Sequence, residues 1–211
     1  MRLRNAIAAT AAAIALAPAT SLAVDGMILI NQNKALAGNV TAGDAPGFPV
    51  TINSPGSYRL SGNLTAPAGS AGIVIAADGV TIDMNGFTLS GQPGPGIVGI
   101  HDLTQSRSRI AIHNGSVTGF NSSIRLDVSK HVAVDDLMLD PGAAGIALVV
   151  GQHSRVSRNT VVGNGLIQVS CPSILTENQT EGFVTVFVVE AGKECIRYHN
   201  RYIGTLGAIN E

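Results

Sequence analysis

The amino-acid sequence predicts an all-β fold, a single right-handed parallel β-helix of about six to seven coils with three strands per coil. Core-type residues recur about every 20 positions, at intervals of 30, 22, 22, 19 and 21 residues. Within each repeat, apolar residues alternate with a period of two, which indicates strands and not helices. The recurring core-type residues are Ile82, Ile112, Val134, Val156, Leu175 and Ile196.

The most regular repeat is IVIAADGVTIDMNGFTLS, residues 73–90. It contains three short apolar strands separated by Asp-Gly and Asn-Gly turns at Gly79 and Gly86. One coil cannot bury its apolar face alone, so the coils must stack, with each strand pairing with its copies at a spacing of about 4.8 Å. The low aromatic content of 4% and the 25 glycines suit such a narrow, layered interior.

The N-terminal segment, residues 1–23, has the pattern of a secretory signal peptide. Arg2 and Arg4 precede an apolar, alanine-rich run that ends in Ser21-Leu22-Ala23, a small-x-small cleavage pattern. Residues 24–48 form a polar, turn-rich lead-in that either pairs along the first coil or caps it, and residues 49–211 form the β-helix domain. No later stretch is long enough to span a bilayer. The sequence therefore predicts a protein that is secreted or periplasmic.

The charge balance argues against two classes of partner. The net charge of −1, the isoelectric point near 6.5 and the 13% charged residues provide no electrostatic footprint for nucleic acid or an anionic membrane. The charged end from Glu190 to Arg201 favours a capped monomer over a structural protein that assembles end to end.

Two cysteines, Cys171 and Cys195, lie 24 residues apart, which is close to one repeat. Export makes a disulfide possible. The predicted register places the two cysteines in neighbouring coils without stacking them directly, so pairing is left open. No CxxC or HxxxH pattern accompanies them, so they do not indicate a metal site.

Four segments make the chain similar to the pectin-lyase-like β-helix superfamily, and to its small exported bacterial repeat proteins. They are INSPGSYRLSGNLT, GIVIAADGVTIDMNGFTLSG, RIAIHNGSVTGF and SRVSRNTVVGN, and the resemblance covers roughly residues 49–204. It implies the fold. Lyases and hydrolases of this superfamily use acidic and basic residues on a parallel sheet face, often with Ca²⁺, but their motifs are not found here. For example, Asp140-Pro141-Gly142 lacks the histidine of the Asp-Pro-His motif.

The outward positions beside the core-type residues form the column most relevant to chemistry. The residue that follows each core-type residue must point away from the core. The column is Asp83, His113, Asp135, Ser157, Thr176 and Arg197. The column before the core-type residues is Thr81, Ala111, Ala133, Arg155, Ile174 and Cys195.

Stacking would bring Asp83, His113 and Asp135 together on successive coils, with Arg155 one coil further and displaced sideways. An imidazole flanked by carboxylates suits proton transfer, which makes His113 and Arg155 the candidate catalytic residues. Asp83 and Asp135 would bind substrate, or a hard cation such as Ca²⁺ with oxygen ligands from turns. The alternative is that these residues are ordinary solvated rungs of the sheet.

Other polar residues have simpler interpretations. The asparagines at the turns are best explained as satisfying backbone groups; they are Asn85, Asn114, Asn159, Asn178 and Asn200. A second, weaker cluster comprises His101, Asp102 and Asp127. His131 and His153 fall at a turn and are expected on the surface.

Two functions follow as hypotheses. The first is a non-catalytic exported module that presents a polar sheet face to a glycan or an envelope partner. The second is a small lyase, epimerase or hydrolase that acts on an acidic, uronate-containing polysaccharide. The missing motifs favour the first, although only three tyrosines and no tryptophan are available for stacking on sugars.

Overall fold

The structure is a computed structural model that describes residues 26–103, 105–142, 146–163, 165–181, 194–204 and 207–210. The signal-peptide segment predicted at residues 1–23 lies outside these residues. The elements in chain order are β1 (Ile28–Ile30), α1 (Gln32–Ala37), β2 (Val50–Ile52), β3 (Gly56–Leu60), β4 (Leu64–Thr65), β5 (Ile73–Ile75), β6 (Val80–Asp83), β7 (Thr88–Ser90), β8 (Val98–His101), β9 (Ser108–Thr118), β10 (Ser122–Leu126), β11 (Lys130–Asp140), β12 (Ile146–Val150), β13 (Arg155–Ser157), β14 (Thr160–Val162), β15 (Leu166–Val169), β16 (Ile174–Thr176), β17 (Gln179–Glu181), β18 (Ile196–Tyr198), β19 (Arg201–Gly204) and β20 (Gly207–Asn210).

The strands pair in parallel to form a β-solenoid of about six turns, which matches the predicted parallel β-helix. The first column of strands runs β1–β3–β6–β9–β11–β13–β16–β18. The second column begins β4–β7 and continues through the C-terminal halves of β9 and β11 to β14, β17 and β19. The third column, β2–β5–β8–β10–β12–β15, forms a separate sheet. Each of these parallel pairings joins one repeat to the next, as a solenoid requires. The last pair, β19 with β20, is antiparallel.

The interior is filled by aliphatic residues from all three columns. Ile82 pairs with Ile112, Ile112 with Val134, Val134 with Val156, and Val156 with Leu175, and all five are buried. The predicted register is therefore confirmed over these five coils. Turn positions also follow the sequence, because Gly79 and Gly86 adopt φ of +66° and +76°, where a side chain would be strained.

The last predicted core residue is wrong by one position. Arg197, and not Ile196, pairs with Leu175, while Ile196 pairs with Ile174 and is 59% exposed. Register here follows the polar residues, because the side-chain oxygen of Asn200 accepts hydrogen bonds from the backbone and side-chain amides of Asn178. The two outward columns consequently end in Tyr198 and Ile196, and not in Arg197 and Cys195.

The lead-in contains a strand and a short helix. Strand β1 pairs in parallel with β3, so this part of the lead-in pairs along the first coil, which is one of the two predicted arrangements. Helix α1 was not predicted, because its six residues are too few to show a helical period. The side chain of Asn31 accepts a hydrogen bond from the backbone amide of Lys34 at 2.9 Å and caps the helix, and Ala35 packs into the core.

The sequence left open whether the two cysteines pair, and the structure shows that they do. Cys171 and Cys195 form a disulfide, with their Cα atoms 5.2 Å apart. The one-residue shift of the last coil moves Cys195 closer to the level of Cys171 than the predicted register placed it. The bridge attaches the segment that leads into β18 to the preceding coil.

Among the described ranges, no helix has the length and apolar character needed to cross a bilayer.

Candidate functional site

The predicted outward column exists, and it extends to earlier coils than predicted, through Arg59 to Leu29 of β1. Arg59 pairs with Asp83, Asp83 with His113, His113 with Asp135, and Asp135 with Ser157. Parallel pairing places these side chains on successive rungs of one sheet face. Arg59 was missed at the sequence level because the strand that carries it was recognised but not placed in register with the later repeats.

Asp83 is enclosed by hydrogen-bond donors. Its carboxylate accepts hydrogen bonds from Arg59 Nε at 2.8 Å, from the backbone amide of Asn85 at 2.8 Å and from Asn114 Nδ2 at 3.1 Å. Burial alone would raise the pKa of Asp83, but the bonds from Asn85, Arg59 and Asn114 together hold that pKa below its ordinary value. The carboxylate is therefore ionised at neutral pH and already fully engaged.

His113 lies beside this carboxylate without a close hydrogen bond to it. Its Nδ1 atom is 3.9 Å from Asp83 Oδ1, and its side chain is 38% exposed. The imidazole can therefore meet solvent or a ligand, as a proton-transfer residue would need.

Asp135 has its own arginine and hydroxyl partners. Arg155, from the next coil, reaches back and donates from Nη2 to Oδ2 at 2.7 Å and from Nε to Oδ1 at 3.3 Å. The hydroxyl of Ser157 donates to the same carboxylate. The Asp135 hydrogen bond raises the pKa of Arg155, so the guanidinium stays charged. The neighbouring Asp136 forms a second, exposed pair with Arg158, at 2.7 Å for both N···O contacts.

We call Arg59, Asp83, His113 and Asp135, together with Arg155 from the adjacent outward column, the ion-paired column. It contains two arginine–carboxylate pairs, Arg59–Asp83 and Arg155–Asp135, with His113 on the strand between the two carboxylates. The carboxylates of Asp83 and Asp135 accept bonds from arginines that a cation would have to displace. Within the part of the chain that the structure describes, no three His, Cys, Asp or Glu side chains come together as a metal site. Calcium binding by Asp83 and Asp135 stays a prediction.

A groove opens beside the ion-paired column, where the strands β11, β13, β16 and β18 of the first column begin. Its volume is about 660 Å³. Its surface includes residues of four coils, and three of these coils contribute apolar residues beside polar ones. The apolar residues are Val132, Ala133, Pro172, Ile174 and Ile196, and the polar ones are His131, His153, Ser154, Arg155, Ser173 and Glu194.

The sequence did not predict the groove, although it placed several of the lining residues on the surface. The outward column of Ala133, Arg155 and Ile174 contributes to the groove, whereas Asp83, His113 and Asp135 do not line it. A register of repeats shows which side chains share a column. It does not show where the surface between two columns is concave.

The second predicted cluster is also brought together. His101, Asp102 and Asp127 line a smaller cavity of about 190 Å³ with Arg125. Ser129 donates to buried Asp102 at 2.7 Å, and Arg125 lies 3.5 Å from Asp127. Burial lowers the pKa of His101, which favours its neutral form at neutral pH.

Comparison with family profiles, with curated proteins and with solved structures finds no significant match to this chain.

Proposed function

We propose that this protein is an exported, non-catalytic binding module that holds a glycan in the groove beside the ion-paired column. The observation that supports this proposal is the composition of the groove. A sugar ring presents both apolar C–H faces and hydroxyl groups, and the groove offers aliphatic surface surrounded by hydroxyl, imidazole, guanidinium and carboxylate groups. Among the described residues no Phe, Tyr or Trp lines the groove, so its aliphatic side chains supply the apolar contact.

The neighbouring column supports a binding role and not a catalytic one. Asp83 and Asp135 each accept bonds from an arginine, and the carboxylate of a general acid or base needs to exchange protons freely. The arginine–carboxylate pairs instead link β3 to β6 and β11 to β13, and such cross-strand links restrain the sheet face beside the groove. Restraint of this face reduces the conformational entropy that is lost on binding.

Export and the pectin-lyase-like resemblance belong to the same proposal. The Cys171–Cys195 disulfide suits an oxidising compartment, as the N-terminal pattern of the sequence does. The repeat segments agree with the parallel solenoid, and the superfamily acts on polysaccharides.

One observation favours a second candidate function, a small enzyme of acidic polysaccharides. The exposed imidazole of His113 lies 3.9 Å from the carboxylate of Asp83 and could transfer a proton from a bound uronate. This candidate predicts turnover, whereas the binding module predicts none.

The experiment measures glycan binding by calorimetry with neutral and uronate oligosaccharides. Ile174→Glu places a charge on the floor of the groove and should weaken binding about tenfold or more. Met138→Glu is the control, because Met138 is also an exposed apolar residue, at 52% against 39% for Ile174, and lies outside the groove, so binding should not change. Equal affinities for the two variants, or no glycan binding by the parent protein, would overturn the proposal.

The enzymatic alternative is tested on the same samples. Uronate polysaccharides are incubated with the protein, with and without Ca²⁺, and the products are examined for unsaturation, epimerisation and chain cleavage. A product that disappears in His113→Ala would establish the enzyme and refute the non-catalytic function.

A further inference from the structure

Two imidazoles lie next to each other at the rim of the groove, on neighbouring coils. The rings of His131 and His153 are stacked, with centroids 5.4 Å apart and planes inclined by 21°. Both residues are exposed. The arrangement is independent of the ion-paired column and of any glycan.

The backbone holds both histidines in the same unusual conformation. Their φ values are +55° and +58°, in the left-handed region. The amide of His131 donates to the carbonyl of Gln152 at 3.2 Å, and the amide of His153 donates to the carbonyl of Pro172 at 2.6 Å. Successive coils therefore repeat the same turn, and the two side chains leave it in the same direction.

The ring nitrogens have no protein hydrogen-bond partner among the described residues, and the two rings stack on each other. The nitrogen lone pair of a neutral imidazole is the commonest metal ligand that a protein offers, and it suits zinc, copper and nickel. Two such exposed rings on adjacent coils can direct one nitrogen each toward a shared ion when their side-chain torsions turn the rings out of the stacked arrangement.

The surrounding charges permit a cation at this position. Glu194 lines the same groove and contributes a negative charge. Arg155 also lines it, but its guanidinium is bound to Asp135, which offsets its charge. Arg109 occupies the equivalent turn position one coil earlier, opposite His131, and carries a positive charge. A cation is therefore favoured on the other side of His131, toward His153 and Glu194.

We propose that His131 and His153 form a binding site for one divalent transition-metal ion of borderline softness, Zn²⁺ or Cu²⁺. The two imidazoles supply the protein ligands, and water completes the coordination. Since no third His, Cys, Asp or Glu joins them among the described residues, the site binds more weakly than a structural zinc site with four protein ligands. Oxygen-preferring Ca²⁺ is a poor fit for two nitrogen ligands.

The test uses the untagged, metal-free protein and the metal ions alone. Calorimetric titration should show saturable uptake of one equivalent of Zn²⁺ or Cu²⁺ and no uptake of Ca²⁺. His131→Asn and His153→Asn should each lower the affinity about tenfold or more, since even indirect partners of a metal contribute about tenfold. Asparagine is chosen because it tolerates positive φ, so the turn is retained.

The matched controls are His199→Asn, which also replaces an exposed histidine at positive φ, and His113→Asn in the ion-paired column. Neither should change metal affinity. The electron paramagnetic resonance spectrum of the Cu²⁺ complex should show coupling to two imidazole nitrogens. Absence of saturable uptake, uptake that survives both substitutions at 131 and 153, or uptake lost in either control would overturn the proposal. None of these readouts depends on glycan binding.

Discussion

At the scale of single residues, arginines determine what the carboxylates of the sheet face can do. Asp83 and Asp135 occupy equivalent rungs two coils apart, and an arginine from an adjacent coil binds each of them. Their side chains are only 10% and 12% exposed. A partly buried carboxylate with charged donors stabilises the fold as long as it is ionised.

Replacing Asp83 by asparagine should therefore cost stability in a pH-dependent way. The folded-state pKa of Asp83 is lowered from the unfolded value of about 3.9, so its stabilising contribution is complete above that value and is lost as pH falls through the folded pKa. We expect a loss of about 1–3 kcal/mol in the free energy of unfolding at pH 7. Urea denaturation at pH 7 and at pH 3 measures the difference.

Asp136→Asn is the control, because the Asp136–Arg158 pair is about half exposed and such pairs contribute little. Its effect at pH 7 should be smaller than that of Asp83→Asn. A deficit for Asp83→Asn that is the same at both pH values would contradict the argument.

At the scale of elements, an asparagine ladder fixes the register of the last three coils. Asn159 and Asn178 each donate a backbone and a side-chain N–H to the side-chain oxygen of the next asparagine, at 3.0–3.1 Å. Each also donates to a core carbonyl of an earlier coil, that of Val134 or Val156. The backbone-satisfying role expected of the asparagines is confirmed for this ladder.

The sequence predicted the same kind of turn for all five asparagines, but in the structure they occupy two different positions of the coil. Asn85 and Asn114 have left-handed φ of +52° and +65°, as Asp136 has on the next coil, at +55°. Asn159 instead is at the level of Leu137, whose amide donates to its side chain, and it is buried. Turn and interior asparagines look alike in a sequence, because both favour the same break between two strands.

Asn178→Ala should be strongly destabilising. The substitution removes the acceptor of the Asn159 amides and the donor to the Val156 carbonyl, and each buried polar group left without a partner costs about 1–3 kcal/mol. We expect a loss of about 3 kcal/mol or more by chemical denaturation. Asn63→Ala is the control, because exposed Asn63 accepts only one bond, from the amide of Thr88, in the described structure. Similar losses for the two variants would refute a special role for the ladder.

At the scale of the whole molecule, stability is distributed along the axis of the solenoid. Each coil contacts mainly the coils before and after it, so local perturbations spread only a short distance. The Cys171–Cys195 disulfide secures one end of this stack. It also lies next to the groove, because Pro172, Ser173 and Glu194 are neighbours of the two cysteines in the chain.

Replacing both cysteines by alanine should loosen the C-terminal coils first. Closing a loop of this length stabilises a fold by about 3 kcal/mol in the chain-entropy account. Hydrogen exchange should speed up in β16 and β18 while β6 and β9 keep their protection, because the perturbation is local. Uniform acceleration in all coils would show that the stack unfolds as one unit, contrary to this prediction.

The sequence by itself determined the fold class, the repeat and five consecutive core positions, because strand alternation and coil stacking are written in apolar residues at short, regular spacing. It also placed Asp83, His113 and Asp135 on one face. The tertiary structure decided what these residues contact: Arg59 binds Asp83, Arg155 reaches back to Asp135, and each carboxylate is thereby ion-paired with an arginine. It also decided the register of the last coil, where Asn200 and not the apolar Ile196 sets the alignment. The groove and the histidine pair depend on the curvature between columns and on side-chain direction, which a one-dimensional pattern does not contain.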